Sequence, residues 1–182
     1  MRFISIAILL TLFAVGAFAQ QAHLDVGSTA PTFSGSALDG NFYDLSELKG
    51  KVVVLAFWST KCEICHSEFP KYNKLIQSFG GKDVVFISPT TQGEAAVQAY
   101  LSKTPLVSVV LPERFDMVLQ YADRDKAGNI DMGFPDYFVI GPSGKIEYRA
   151  SGWDKVPSVG TAVNQLLTRQ IASNTRQIAA NN

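Results

Sequence analysis

The sequence is short of cysteine, histidine and net charge, and each shortage closes off a class of function. Sixteen lysines and arginines stand against sixteen aspartates and glutamates over 182 residues, a formal net charge of zero. Without a basic excess there is no electrostatic handle for nucleic acid, and no acidic run forms a tail. Two cysteines do not make a disulfide scaffold for a chain of this length. Cys62, Cys65, His66 and the distant His23 also lack the spacing of a closed tetrahedral zinc site, so no metal is expected. Internal repeats and low-complexity stretches are missing as well. What is present is ordinary for a packed core: 47% hydrophobic residues and 18% charged ones, enough for one domain.

The first nineteen residues are set apart from that domain. Arg2 is followed by an apolar run from Phe3 to Gly16, and Ala17-Phe18-Ala19 supplies the small-x-small pattern that signal peptidase reads. A signal peptide over 1–19, cleaved before Gln20, is therefore predicted; an uncleaved membrane anchor is the alternative. The run falls short of the roughly 20 apolar residues of a spanning helix, which favours cleavage. No cysteine follows it, which argues against a bacterial lipid anchor. The expected product is exported, periplasmic or otherwise outside the cytoplasm, and soluble, with its domain over 20–174 and a frayed tail over 175–182.

Within the domain, Asp39-Gly40 is a hairpin turn signal ahead of residues 41–45. Residues 51–58 form a β-branched and aromatic run of buried-strand type. From Cys62 to Phe79 apolar residues recur every three or four positions, which predicts a helix. Strands follow over 83–88, 107–111, 136–140 and 145–151, and helices over 94–103, 113–121 and from Val159 to Ile171. The polar stretch 122–132 reads as a loop. This order predicts an α/β fold with a central mixed sheet and helices on both faces.

The chemistry concentrates at Trp58-Ser-Thr-Lys-Cys-Glu-Ile-Cys-His-Ser-Glu-Phe-Pro70. A disulfide between Cys62 and Cys65 closes too short a loop to restrain the unfolded chain much, so its value is chemical rather than structural. Cys62 opens a helix directly after a buried strand, where unpaired backbone N–H groups favour a thiolate. Cys65 lies one turn further in and is expected to be more buried. That asymmetry makes Cys62 the attacking sulfur and Cys65 the resolving one. Pro70 is expected to kink the helix.

These residues resemble the thioredoxin superfamily, and within it the TlpA/ResA-like exported thiol-disulfide oxidoreductases. The likeness runs from about Gly27 to about Leu167 and is carried by Ala30-Pro31-x-Phe33, Leu38-Asp39-Gly40, Leu45-Ser46-x-Leu48-Lys49-Gly50-Lys51, Phe57-Trp58-Ser59-Thr60 and Cys62-x-x-Cys65-x-x-Glu68-Phe69-Pro70. It implies a thioredoxin-like fold with an added N-terminal β-hairpin and a cis-proline at Pro135 facing the cysteine pair. It implies a redox disulfide Cys62–Cys65 and no cofactor. Its members pass electrons to disulfides of exported proteins, in cytochrome c maturation among other settings, and draw them from a membrane thiol relay. Position 56, where many thioredoxins carry a buried acid, is alanine, and the resemblance places the active-site glutamate at Glu68 instead. Phe134, Pro135, Asp136 and Trp58 are assigned to substrate contact, with the Phe134 ring and the Asp136 carboxylate flanking the disulfide.

The chain departs from the family at Lys61, where an aromatic residue is usual, and at Phe134 and Asp136 on either side of the proline. Two rival functions fit parts of the pattern. Cys62-x-x-Cys65-His66 matches the c-type haem attachment motif, although neither Met117 nor Met132 stands out as a distal ligand. A thiol peroxidase of peroxiredoxin type would share the architecture, but its Thr-x-x-Cys arrangement with an upstream proline is missing, since Thr60 lies only two residues before Cys62. His66 reads as a solvated helix residue, and Lys61, Glu63 and Lys71 as solvated charges.

Overall fold

A computed structural model describes residues 23–180, so the predicted signal peptide over 1–19 lies outside the described residues. The elements run β1 (Ser34–Ser36), β2 (Phe42–Asp44), a 3-10 turn (Leu45–Leu48), β3 (Val52–Phe57), α1 (Glu63–Ser78), β4 (Val84–Pro89), α2 (Glu94–Leu101), β5 (Val109–Leu111), α3 (Phe115–Tyr121), β6 (Asp123–Arg124), β7 (Ile130–Asp131), β8 (Asp136–Ile140), β9 (Ile146–Ser151) and α4 (Val156–Ala180). The five-stranded sheet has the order β5-β4-β3-β8-β9. β3 lies in its middle because every residue from Val52 to Phe57 is apolar, and each is buried. It pairs parallel with β4, Val52 opposite Val84, and antiparallel with β8, Phe57 opposite Asp136. This is the thioredoxin-like fold with its N-terminal hairpin β1–β2.

Alternation along β3 divides the core in two. Val53, Leu55 and Phe57 face Met117, Val118 and Tyr121 of α3, together with Phe33 and Leu45 from the N-terminal segment. Val52, Val54 and Ala56 face Tyr72 of α1, Phe79 just after it, and Val159, Val163 and Leu166 of α4. Full burial of such a side chain stabilises the fold by about 1.5–3 kcal/mol. A third, smaller cluster of Trp58, Cys65, Phe69, Val97 and Val110 joins the end of β3 to α1 and α2. Among the described residues, no helix is long and apolar enough to cross a membrane.

Two expectations need correction. The stretch 122–132 is not a plain loop: β6 and β7 pair antiparallel in it, Asp123 opposite Asp131. Asp125 closes the turn, its carboxylate accepting the N–H groups of Ala127 (2.8 Å) and Asn129 (2.9 Å), and Gly128 takes the positive φ of 84° the turn requires. Two-residue strands leave no apolar alternation to read. The tail over 175–180 is helical rather than frayed, because α4 runs to Ala180. Arg176, Gln177, Ala179 and Ala180 are good helix formers, so the helix continues past its last buried residue, Leu166.

α1 and α4 approach closely at Gly160, where an added Cβ would come within 2.6 Å of the Leu75 side chain. Gly160→Val should therefore lower stability by about 1–3 kcal/mol through overpacking. Urea unfolding measures this, and an unchanged midpoint would show that the two helices do not depend on a bare backbone there.

Candidate active site

β3 stops at Phe57, and the next residues turn the chain into α1. The Trp58 N–H donates to the Pro89 carbonyl (3.3 Å), the Lys61 N–H to the Ser59 hydroxyl (3.1 Å), and the Cys62 N–H to the Ser59 carbonyl (3.0 Å). Cys62 caps α1 in an extended conformation, and its sulfur accepts the Cys65 N–H at 3.1 Å. That sulfur therefore occupies the place where a helix leaves backbone donors unsatisfied, which favours negative charge on it. The two sulfurs are bonded to each other, with the Cα atoms 5.3 Å apart. Cys62 is half-buried, whereas Cys65 is only 1% exposed.

The walls of the site come from four elements. The Phe134–Pro135 bond is cis, and Pro135 shares a small cavity with Cys65, Ala56, Trp58, Tyr72 and Tyr137. Phe134 is half-buried and packs, like Cys62, against the cluster around Trp58. Trp58 itself is not at the substrate surface. It is buried, edge-on to Phe69, and its indole N–H donates to the Ser88 carbonyl at 3.3 Å. Nor is His66 solvated: its ring lies 4.5 Å from that of Tyr100, and Nε2 is 3.1 Å from the Ser59 carbonyl.

Glu68 is 1% exposed, far from the surface position its charge suggests. It lies one turn after Cys65 on α1, the helix that packs on Ala56, the position left without an acid. Oε1 receives the Lys71 ammonium at 3.1 Å, and Oε2 is buried without a hydrogen-bond partner. Lys71 also bonds Asp154 (3.0 Å) and lies 5.3 Å from the Trp153 ring centroid. Its hydrogen bonds to Asp154 and to Glu68 push the ammonium above its ordinary range. Lys71 is thus a paired charge rather than a solvated one; its spacing of three from Glu68 on a helix is the signal the sequence offers for this.

The Asp136 carboxylate does not flank the disulfide. Alternation on β8 sends Tyr137 to the α1 face and Phe138 to the α3 face, so Asp136 points with Phe138, away from α1. There it is 1% exposed and 3.3 Å from Arg149 of β9, which also holds Asp123 of β6 at 2.9 Å and lies over the Phe138 ring. Burial raises the Asp136 carboxyl to about 6, with Arg149 holding it down in part and Asp123 adding to the rise. Burial opposes ionisation at Asp123 as well, but Arg149 and His23 outweigh it and hold that group below its ordinary value. No sequence pattern points to Arg149, because its partners come from two separate strands.

With this geometry in place, comparison with known proteins gives a consistent result. The Redoxin family model matches residues 25–166. The chain is 30% identical over 139 residues to thiol-disulfide oxidoreductase ResA of a Bacillus cereus strain, covering 75% of this chain and 76% of that protein. It is 32% identical over 131 residues to thiol-disulfide oxidoreductase ResA of Bacillus subtilis (strain 168), covering 71% and 69%. Among solved structures, the thioredoxin domain of a thiol-disulfide oxidoreductase from Bacteroides vulgatus superposes with a TM-score of 0.63 at 27% identity, over 77% of this chain and 99% of that one.

The Asp136–Arg149 pair yields a test of sign. A carboxyl raised from 3.8 to about 6 lends stability in full below about pH 4 and loses it as pH rises through 6. Arg149→Met removes the cation that offsets this, so it should cost about 3–5 kcal/mol at pH 8 and distinctly less at pH 5, where Asp136 can bind a proton. Denaturant unfolding at the two pH values checks it; an equal loss at both would mean that Arg149 acts through packing alone.

Proposed function

Because this chain belongs to the Redoxin family and, within the thioredoxin superfamily, to the TlpA/ResA-like thiol-disulfide oxidoreductases, we propose that it reduces disulfides of exported proteins through Cys62 and Cys65. The observation that carries the reading is the asymmetry of the pair: a half-buried sulfur at the helix cap beside one that is 1% exposed. In the reduced protein the Cys62 thiolate attacks a substrate disulfide, forms a mixed disulfide and releases one substrate thiolate. The Cys65 thiol then loses its proton and attacks the Cys62 sulfur. The second substrate thiolate leaves, and two electrons have passed from the enzyme to the substrate. Glu68 takes up the Cys65 proton. The half-buried Phe134 and the cis Pro135 receive the substrate as an extended segment beside the disulfide.

The setting belongs to the same proposal. Residues 1–19 direct export and are then removed, which leaves the domain that starts at residue 20 outside the cytoplasm, where a membrane thiol relay restores the dithiol. Exported proteins that must present free cysteines, apocytochromes c among them, are the substrate class. The reduction potential tests direction: a value near −270 mV, roughly that of thioredoxin, fits a reductase, and one near about −120 mV a disulfide donor.

Residue roles are tested by trapping. Cys62→Ser should abolish exchange, and Cys65→Ser should accumulate mixed disulfides through Cys62, read by mass spectrometry. Adducts forming as readily through Cys65 in the Cys62→Ser variant would reverse the roles, and covalent haem absorbance in the purified protein would end the redox reading. Glu68→Gln should slow exchange by about 10²- to 10⁴-fold, with a changed pH profile and the domain still folded. An unaltered profile would leave Glu68 outside the chemistry.

A further inference from the structure

A buried acid used as a proton acceptor has to keep its charge and present a chosen oxygen. Burial disfavours a carboxylate, and a cation at hydrogen-bond distance favours it. At Glu68 the cation is Lys71, bonded to Oε1 at 3.1 Å, and Oε2 is the oxygen without a partner. The titratable group that faces the carboxylate from the sheet is the Tyr137 phenol of β8, which burial and the charge of Glu68 keep protonated. Lys71 is 48% exposed, so the same ammonium reaches from solvent to a carboxylate that is 1% exposed. It is held at its outer end by Asp154 at 3.0 Å and by the Trp153 ring.

The turn that supplies those two residues is built for the contact. Asp154 has φ 56°, a left-handed conformation that costs a non-glycine residue energy, and Gly152 has φ 87°. The Gly152 N–H donates to the Pro135 carbonyl at 2.8 Å, and the Ser151 hydroxyl reaches the Pro135 carbonyl at 3.4 Å. One turn thus grips both the proline that shares a cavity with Cys65 and the lysine bound to Glu68. An exposed ion pair contributes little to stability, so a strained residue spent on one points to another use.

We propose that Lys71, held by Asp154 and Trp153, is the positioning residue of the exchange reaction: it occupies Oε1 of Glu68, favours the ionised carboxylate and leaves Oε2 to take the Cys65 proton. This rests on the reading of Glu68 as the proton acceptor. Lys71 touches neither substrate nor sulfur in this role; it sets the pH range in which Glu68 works.

The experiment is the pH profile of exchange between the reduced full chain and 2,2′-dithiodipyridine. Lys71→Met should move the acid limb to higher pH by about one unit or more, with about tenfold less activity at pH 6 and little change at pH 9. Lys71→Arg should restore the profile, and Asp154→Asn, at an exposed position, should shift it the same way by less. Adding Lys71→Met to Glu68→Gln should change nothing further, since the group it acts on is gone. A uniform loss at all pH values, or a wild-type profile in both Lys71→Met and Asp154→Asn, would overturn the proposal. If Glu68→Gln removes the acid limb while Lys71→Met leaves it in place, the proton-acceptor reading stands and only the role of Lys71 falls. If Glu68→Gln itself has no effect on the limb, both fall together.

Discussion

The 3.1 Å hydrogen bond from the Cys65 N–H to the Cys62 sulfur is the contact on which the rest of the site depends, and it exists because of where β3 ends. Six buried apolar residues hold that strand in the middle of the sheet, so its C-terminal end is fixed by neighbours on both sides. The turn through Ser59 then has only to place Cys62 at the cap. A longer turn would let the helix start drift, and the sulfur would lose the unsatisfied donors that favour its charge. The redox pair is therefore a consequence of sheet packing carried forward by four residues.

The same end of the sheet explains why the cavity beside Cys65 and the buried charge of Asp136 are kept apart. Pro135, Asp136 and Tyr137 are consecutive, yet they serve different faces. Pro135 and Tyr137 line the cavity with Cys65, whereas Asp136 turns to Arg149 on the α3 side. A two-residue period does this without any special device. It also ties the hairpin β6–β7 to the sheet, because Arg149 bonds Asp123 and Asp136 at once. The planar guanidinium suits that double contact, where a lysine would offer a single point charge.

The fold is legible in the sequence because its signals are local. The apolar run over 51–58, the three-and-four spacing from Cys62 to Phe79, and the Asp39-Gly40 turn each specify one element, and the elements assemble in one sensible order. The cysteine asymmetry is legible for the same reason. What the sequence hides is non-local. The resemblance marks Glu68, but its burial follows only once α1 is packed on the sheet, and Trp58 looks available until Phe69 and Tyr100 close over it. Asp136 looks like a neighbour of the disulfide because it follows Pro135, but strand geometry sends adjacent side chains to opposite faces. The hairpin over 122–132 is hidden because strands of two residues have no period.

Two carboxylates at 1% exposure, Glu68 and Asp136, thus belong to opposite faces of the sheet, and they are not equivalent. Asp136 is bonded by an arginine that is itself mostly buried, so breaking that pair strands a charge in the interior at a cost of about 3–5 kcal/mol. Glu68 is bonded by a lysine that is about half exposed, so this pair keeps one end in solvent while its carboxylate stays buried. The first pair is therefore committed to holding β6, β8 and β9 together. The second lies on the helix of the cysteines and leaves one carboxylate oxygen, Oε2, without a partner. On the proposed mechanism, the acid that would accept the Cys65 proton is thus on the cysteine side of the sheet, and the acid that holds strands together is on the other.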